Sequence, residues 1–259
     1  MEPKNIENAK VHLVLGCGGT RGIAHIGVIN ELKSLNCEII SVSGCSMGAV
    51  VGGIYCTGQL ERFTEWLQTI TKKDVFSLMD FTLSTSGLIK GNKLLHFLED
   101  FIGKYNLEEL EIPFTAVATD LANRKEVHYT NGNLYQAIRA SIGIPMLFTP
   151  LIEQDKVLID GGILNPLPLS MVKKNNEDEI VVAVNLFANR KNNPFEMKKN
   201  EPVINAKYFG TTITTYQPDI LVNISRDFAG TMDFHLTDKL IKEGVRAFNY
   251  SLKNGKTML

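Results

Sequence analysis

The stretch 40–50, Ile-Ser-Val-Ser-Gly-Cys-Ser-Met-Gly-Ala-Val, constrains the fold more than any other part of the chain. It reads as a short apolar strand, a Gly-x-Ser-x-Gly turn at Gly44-Cys45-Ser46-Met47-Gly48, and a helix of small and apolar residues running to Cys56. A serine lifted onto so tight a strand-to-helix corner needs a strained backbone, and glycines at 44 and 48 leave room for the neighbouring chain. Ser46 then stands at a helix N-terminus, where the positive end of the macrodipole favours an alkoxide-like oxygen. The pattern alone fits an ordinary glycine-rich turn with a capping serine equally well, so partners elsewhere must decide.

Two further glycine corners follow predicted strands. Residues 11–15 form a mostly apolar run that ends in Gly16-Cys17-Gly18-Gly19-Thr20-Arg21-Gly22, with helical periodicity after it. Backbone N–H groups of such a loop make an anion pocket suited to a phosphate or a developing oxyanion. A dinucleotide fingerprint would need glycine at 17 or 21, where this chain has Cys17 and Arg21. The third corner, Asp160-Gly161-Gly162, ends a strand expected at 156–159.

The remaining chain alternates in the same way. Strands are expected at 38–42, 112–119, 180–186 and 219–224, with an extended segment at 125–130. Helices are expected at 61–72, 92–101, 133–141 and 236–253. The helix at 61–72 reads as packing rather than chemistry. The apolar but aperiodic run 75–89 fits either a cover over an acyl pocket or a buried connector, and 189–201 an exposed loop. Such alternation implies an α/β fold, a mostly parallel central sheet between helical layers. The 259 residues fit one domain over 1–259, with the motifs in 11–172.

Charge and cysteine usage narrow the partners. A net charge of -1 offers no general attraction to nucleic acid or anionic lipid, so membrane contact would be local, apolar and peripheral. The first residues lack a charged start followed by an apolar run, and no stretch approaches ~18 apolar residues, which gives a cytoplasmic expectation. Cys17, Cys37, Cys45 and Cys56 lack paired metal-ligand spacing and read as reduced, mostly buried thiols. No metal or other cofactor is expected. Alkylation of Cys45 would block the site even without a catalytic role for it.

Strand C-terminal ends collect the active site in open α/β sheets. A serine nucleophile needs a base, an oxyanion hole and access. Taken together, the three corners resemble the patatin-like phospholipases, especially their compact bacterial members. Gly18-Gly19-Thr20-Arg21-Gly22 is similar to that family's oxyanion motif, Gly44-Cys45-Ser46-Met47-Gly48 to its nucleophile motif, and Asp160-Gly161-Gly162 to its Asp-Gly-Gly/Ala motif. Residues 140–145 and Asn165-Pro166-Leu167-Pro168 resemble family text as well.

The resemblance implies a three-layer α/β/α fold and a Ser-Asp dyad, with Ser46 as nucleophile and Asp160 as base. It places the oxyanion at the backbone N–H groups of Gly18, Gly19 and Thr20, and leaves Arg21 either holding that loop or reaching a lipid phosphate. Cys17 and Thr20 stand where many members have Gly and Ala; a Cβ at 17 resists positive φ and would reshape the hole.

The implied activity is acyl hydrolysis of phospholipids or related lipid esters. A free aspartate, with pKa near ~3.9, is a poor base for a hydroxyl, so burial would have to raise it. Three other readings remain open. A Ser-His-Asp hydrolase would use His235, the one histidine after Asp160. A lipid-binding or regulatory protein would keep the fold without the reaction, and an acyltransferase would use the same dyad. Oligomeric state is open.

Overall fold

The computed structural model describes residues 5–78, 91–144, 148–188, 217–230 and 232–254. The expected loop at 189–201, Pro145, and the part of the apolar run from 79 to 89 lie outside the described residues.

In chain order the strands are β1 (Lys10–Leu15), β2 (Glu38–Cys45), β3 (Phe114–Asp120), β4 (Lys125–Tyr129), β5 (Leu151–Glu153), β6 (Lys156–Asp160), β7 (Ile180–Ala188) and β8 (Ile220–Ser225). The helices are α1 (Ala24–Ser34), α2 (Met47–Cys56), α3 (Leu60–Thr69), α4 (Lys72–Leu78), α5 (Asn92–Ile102), α6 (Leu134–Ser141) and α7 (Thr237–Asn254).

The sheet runs β5-β6-β3-β2-β1-β7-β8, with β4 also paired to β3. The segment β3-β2-β1-β7-β8 is parallel, and the sheet carries helices on both sides. Alternate residues of the central strands enter different cores. Leu13, Leu15, Val182 and Val184 join the large cluster with α1, α2 and α7, while Val14, Val181 and Ala183 pack with Leu167 and Leu169. Burial on both faces explains why these strands read as continuous apolar runs rather than alternating ones.

At the α1–α7 crossing, a Cβ on Gly27 would collide with Ile241 O and one on Gly244 with Ala24 O. Two glycines thus let the helix backbones touch.

One expectation needs correction. The helix read at 61–72 is two helices: α3 stops at Ile70, which is extended at φ -69 and ψ 123, and α4 restarts at once. Thr71 and Asp74 cap that restart reciprocally, Thr71 N–H and Oγ donating to Asp74 Oδ2 while Asp74 N–H donates to Thr71 Oγ. Such a box outweighs continuous periodicity. Residues 75–78, read as aperiodic, therefore belong to α4.

Beside the parallel segment, β6 is antiparallel to β3. β2 pairs Cys45 with Val117, β6 pairs Asp160 with Ala118, and β4 takes the whole opposite edge of β3 from Ala116 to Asp120. β2 and β6 therefore lie end to end along one edge of β3, and their ends meet at the Val117/Ala118 step.

Candidate active site

That abutment brings Ser46 and Asp160 together from opposite directions. Ser46 follows β2 and precedes α2 with φ 55 and ψ -124, a left-handed conformation that a non-glycine residue holds only at a cost of about 1–3 kcal/mol. The corner closes because a Cβ on Gly44 would strike Gly48 O, and one on Gly48 would strike Leu15 O. Ser46 O accepts from Ala49 and Val50 N–H at 2.8 and 3.1 Å, starting α2. The serine is 4 % exposed.

Asp160 caps the 3-10 turn at Gly161–Ile163, its Oδ1 accepting from Gly162 N–H at 2.8 Å. Here the glycines answer sterics. A Cβ on Gly161 would strike Val117 O, and one on Gly162 would sit 2.5 Å from Cys17 Sγ. Burial pushes the Asp160 pKa up to about 6, and the Ser46 hydroxyl and the Gly162 N–H pull against that rise. Oδ2 is buried without a hydrogen bond of full geometry. The hydroxyl thus lies near enough to favour the carboxylate without being locked to it, as is common before substrate binds.

The glycine loop lies against this pair. Gly16 and Cys17 N–H are bound to Val184 O and Pro166 O, at 3.0 and 2.9 Å. Gly18 and Gly19 N–H have no partner among the described residues. Gly19 turns at φ 56 and lines the cleft with Ser46. Thr20 is fully buried, and Gly22 packs on Met47.

Cys17 does not have positive φ, so the expected strain there is absent. Its sulfur lies beside Gly162 at the Asp160 turn. Cys45 is fully buried, with Sγ 4.0 Å from Asp160 Oδ1, and burial, reinforced by Cys17 and Asp160, holds its thiol protonated. The expected sensitivity of Cys45 to alkylation is therefore corrected: neither access nor a thiolate is provided.

Arg21 bonds main-chain carbonyls of a distant segment. Nη1 donates to Arg226 O at 2.8 Å and to Ala229 O at 3.2 Å, and the guanidinium lies 5.4 Å from the centroid of the Phe187 ring. It ties the glycine loop to the segment after β8 that leads to Met232 and Phe234 of the cleft wall. Arg21→Lys should raise KM for a long-chain ester several-fold with little change for a short one, because the shorter ammonium lacks the guanidinium plane that lies by Phe187 while Nη1 reaches both carbonyls. Parallel KM series on the two esters check this; equal changes on both would refute it.

From Ser46 and Gly19 an apolar cleft opens to solvent. Phe63, Trp66 and Leu67 of α3 and Leu94 and Leu98 of α5 form its walls. Trp66 stacks on Phe97, with ring centroids 4.0 Å apart. The α3 face taken from sequence as mere packing is thus part of the site, which only the placement of α3 beside the elbow reveals.

Two further residues escaped sequence reasoning. His25 is fully buried, its Nε2–H donating to Gly16 O at 2.9 Å under the glycine loop, and burial lowers its pKa to about 4. Ser141 bonds the elbow itself, accepting from Ser46 N–H at 2.9 Å.

None of the histidines bonds Ser46 or Asp160. His12 is held by Ser41 and Glu179, His96 by Asn92 O and His128 by Glu126, and His235 is exposed on a 3-10 turn. The described residues thus offer no Ser-His-Asp triad. Among them no group of three or more His, Cys, Asp or Glu side chains is arranged to hold a metal ion, and no helix is long and apolar enough to cross a membrane.

Comparison with known proteins places this geometry. The family profile described as patatin-like phospholipase matches residues 13–173. An uncharacterized NTE family protein of Mycobacterium tuberculosis is 43% identical over 177 residues, 68% of this chain and 49% of that protein. The neuropathy target esterase of Drosophila melanogaster is 30% identical over 169 residues, 62% of this chain and 12% of that protein. The chain thus spans about half the length of the mycobacterial relative and a small part of the fly esterase. Among solved structures, VipD of Legionella pneumophila superposes with a TM-score of 0.50 at 16% identity, covering 95% of this chain and 67% of that one. At that identity the likeness concerns the fold alone.

Proposed function

The chain belongs to the patatin-like phospholipase family, and on that premise we propose that it hydrolyses carboxylic esters of lipids through an acyl-enzyme on Ser46, with Asp160 as general base. The observation that carries the reading is the apolar cleft that ends at the strained Ser46, beside a buried carboxyl whose pKa is pushed up to about 6. A base titrating near neutrality is what a serine hydroxyl without histidine needs.

The chemistry then follows from the placement. Ser46 Oγ attacks the ester carbonyl as its proton passes to Asp160. Negative charge develops on the carbonyl oxygen and is met by the N–H groups of Gly18, Gly19 and Thr20, preorganised by the fixed neighbours Gly16 and Cys17. Asp160 returns the proton to the departing alcohol. Water then attacks the acyl-enzyme, giving its proton to Asp160, and the free acid leaves as Ser46 is reprotonated.

The acyl chain lies along α3 and α5, where the walls offer only apolar contact. Arg21 Nη1 is bound to two carbonyls, which supports a loop-holding role over a phosphate-reading one. Recognition therefore rests on the chain rather than on the head group, and contact with a lipid surface would be apolar and peripheral.

A fluorophosphonate probe tests the reading. The expected result is labelling at one site per chain, lost in Ser46→Ala and slowed in Asp160→Asn. Labelling that persists in Ser46→Ala would place the nucleophile elsewhere, and no labelling of folded wild type would favour a lipid-binding protein.

A further inference from the structure

Ser141 is the last residue of α6, fully buried, and its hydroxyl makes two bonds. Oγ accepts from Ser46 N–H at 2.9 Å and donates to Val117 O at 2.6 Å. Val117 is the residue of β3 opposite Cys45, next to the Ala118 that pairs with Asp160. The same carbonyl is the atom that a Cβ on Gly161 would strike. One carbonyl thus sits where the end of the nucleophile strand, the end of the base strand and the Ser141 hydroxyl converge.

From this convergence we infer that Ser141 is a positioning residue for the reaction, holding the strained Ser46 backbone to the point on β3 against which the Asp160 turn packs. The inference rests on the reading of Ser46 as nucleophile and Asp160 as base. Because the Ser46 N–H is taken by Ser141, that N–H cannot serve the oxyanion, and the glycine loop supplies the donors. Ser46 at φ 55 gains little from its own local backbone preference, so a bond to its N–H controls where Oγ points. Misplacement of a reacting group by about 1 Å lowers rates by up to ~100-fold.

The experiment measures kcat and KM on p-nitrophenyl butyrate, with thermal melting, for wild type, Ser46→Ala, Ser141→Ala, Ser141→Cys and Ser141→Thr. Ser141→Ala is expected to lower kcat by about 10- to 100-fold while KM stays within about twofold, since the cleft walls are untouched. Cysteine, similar in size but a weak hydrogen-bonding group, should behave like alanine, and threonine should recover most of kcat. Should the alanine variant not fold, the cysteine variant is judged by the same criterion. A wild-type kcat in Ser141→Ala or Ser141→Cys, with Ser46→Ala inactive, overturns the positioning role alone. An active Ser46→Ala overturns both this role and the nucleophile assignment.

Discussion

Ser46→Ala is expected to lose ester hydrolysis by a factor on the order of 10⁴ or more in kcat, and Asp160→Asn by about 10³. The serine has no substitute, because Cys45 points into the protein with a protonated thiol. Asparagine at 160 keeps an oxygen for the Gly162 N–H but cannot take a proton, so binding and fold survive while the base is lost. Turnover of a short p-nitrophenyl ester, alongside melting temperatures, measures both. The histidines are tied to other partners or exposed, so no second base stands beside Ser46 among the described residues. Asp160→Asn with more than a third of wild-type kcat would remove Asp160 from the mechanism.

The same carboxyl makes activity and stability respond oppositely to pH. On the proposed mechanism activity needs the carboxylate, so kcat/KM should rise with pH through about 6 and then level off. Stability follows the other sign. The folded pKa of about 6 lies above an unfolded value near ~3.9, so the contribution of Asp160 is fully present below ~4 and lost as pH rises through about 6. The difference between those two values corresponds to roughly 3 kcal/mol. Asp160→Asn, which never ionises, should therefore melt higher than wild type at pH 8 and lose that advantage near pH 4.

His25 acts in the opposite sense. Its depressed pKa of about 4 gives stability above ~6.5 that is lost as pH falls through about 4. It is common to both proteins, so the difference between their melting curves against pH isolates Asp160. A constant difference from pH 4 to 8 would mean that the carboxyl is not raised by burial.

The three motifs of the candidate site were legible because each has a local cause. A serine at positive φ between close-packed glycines, a glycine loop at a helix start, and an aspartate with its own turn are all short-range arrangements that a few neighbouring residues dictate. The order of strands and helices was legible for the same reason, and it failed at 70–72, where a capping box interrupts a continuous apolar stripe.

What sequence could not determine is everything that depends on which strand lies beside which. That Asp160 arrives on an antiparallel strand butting against β2 is a matter of pairing along β3, over separations of 40 residues and more. The same holds for Arg21, drawn to carbonyls 205 and 208 residues away, and for Ser141, 95 residues from the backbone it holds. Helix α3 shows the limit most plainly. Its apolar stripe specifies that one face is buried, but burial free energy is non-directional, and only the packed neighbours make that face the wall of a cleft at Ser46 rather than core. Local backbone preference and sterics thus wrote the motifs into the sequence, while long-range pairing and packing decided that they form one site.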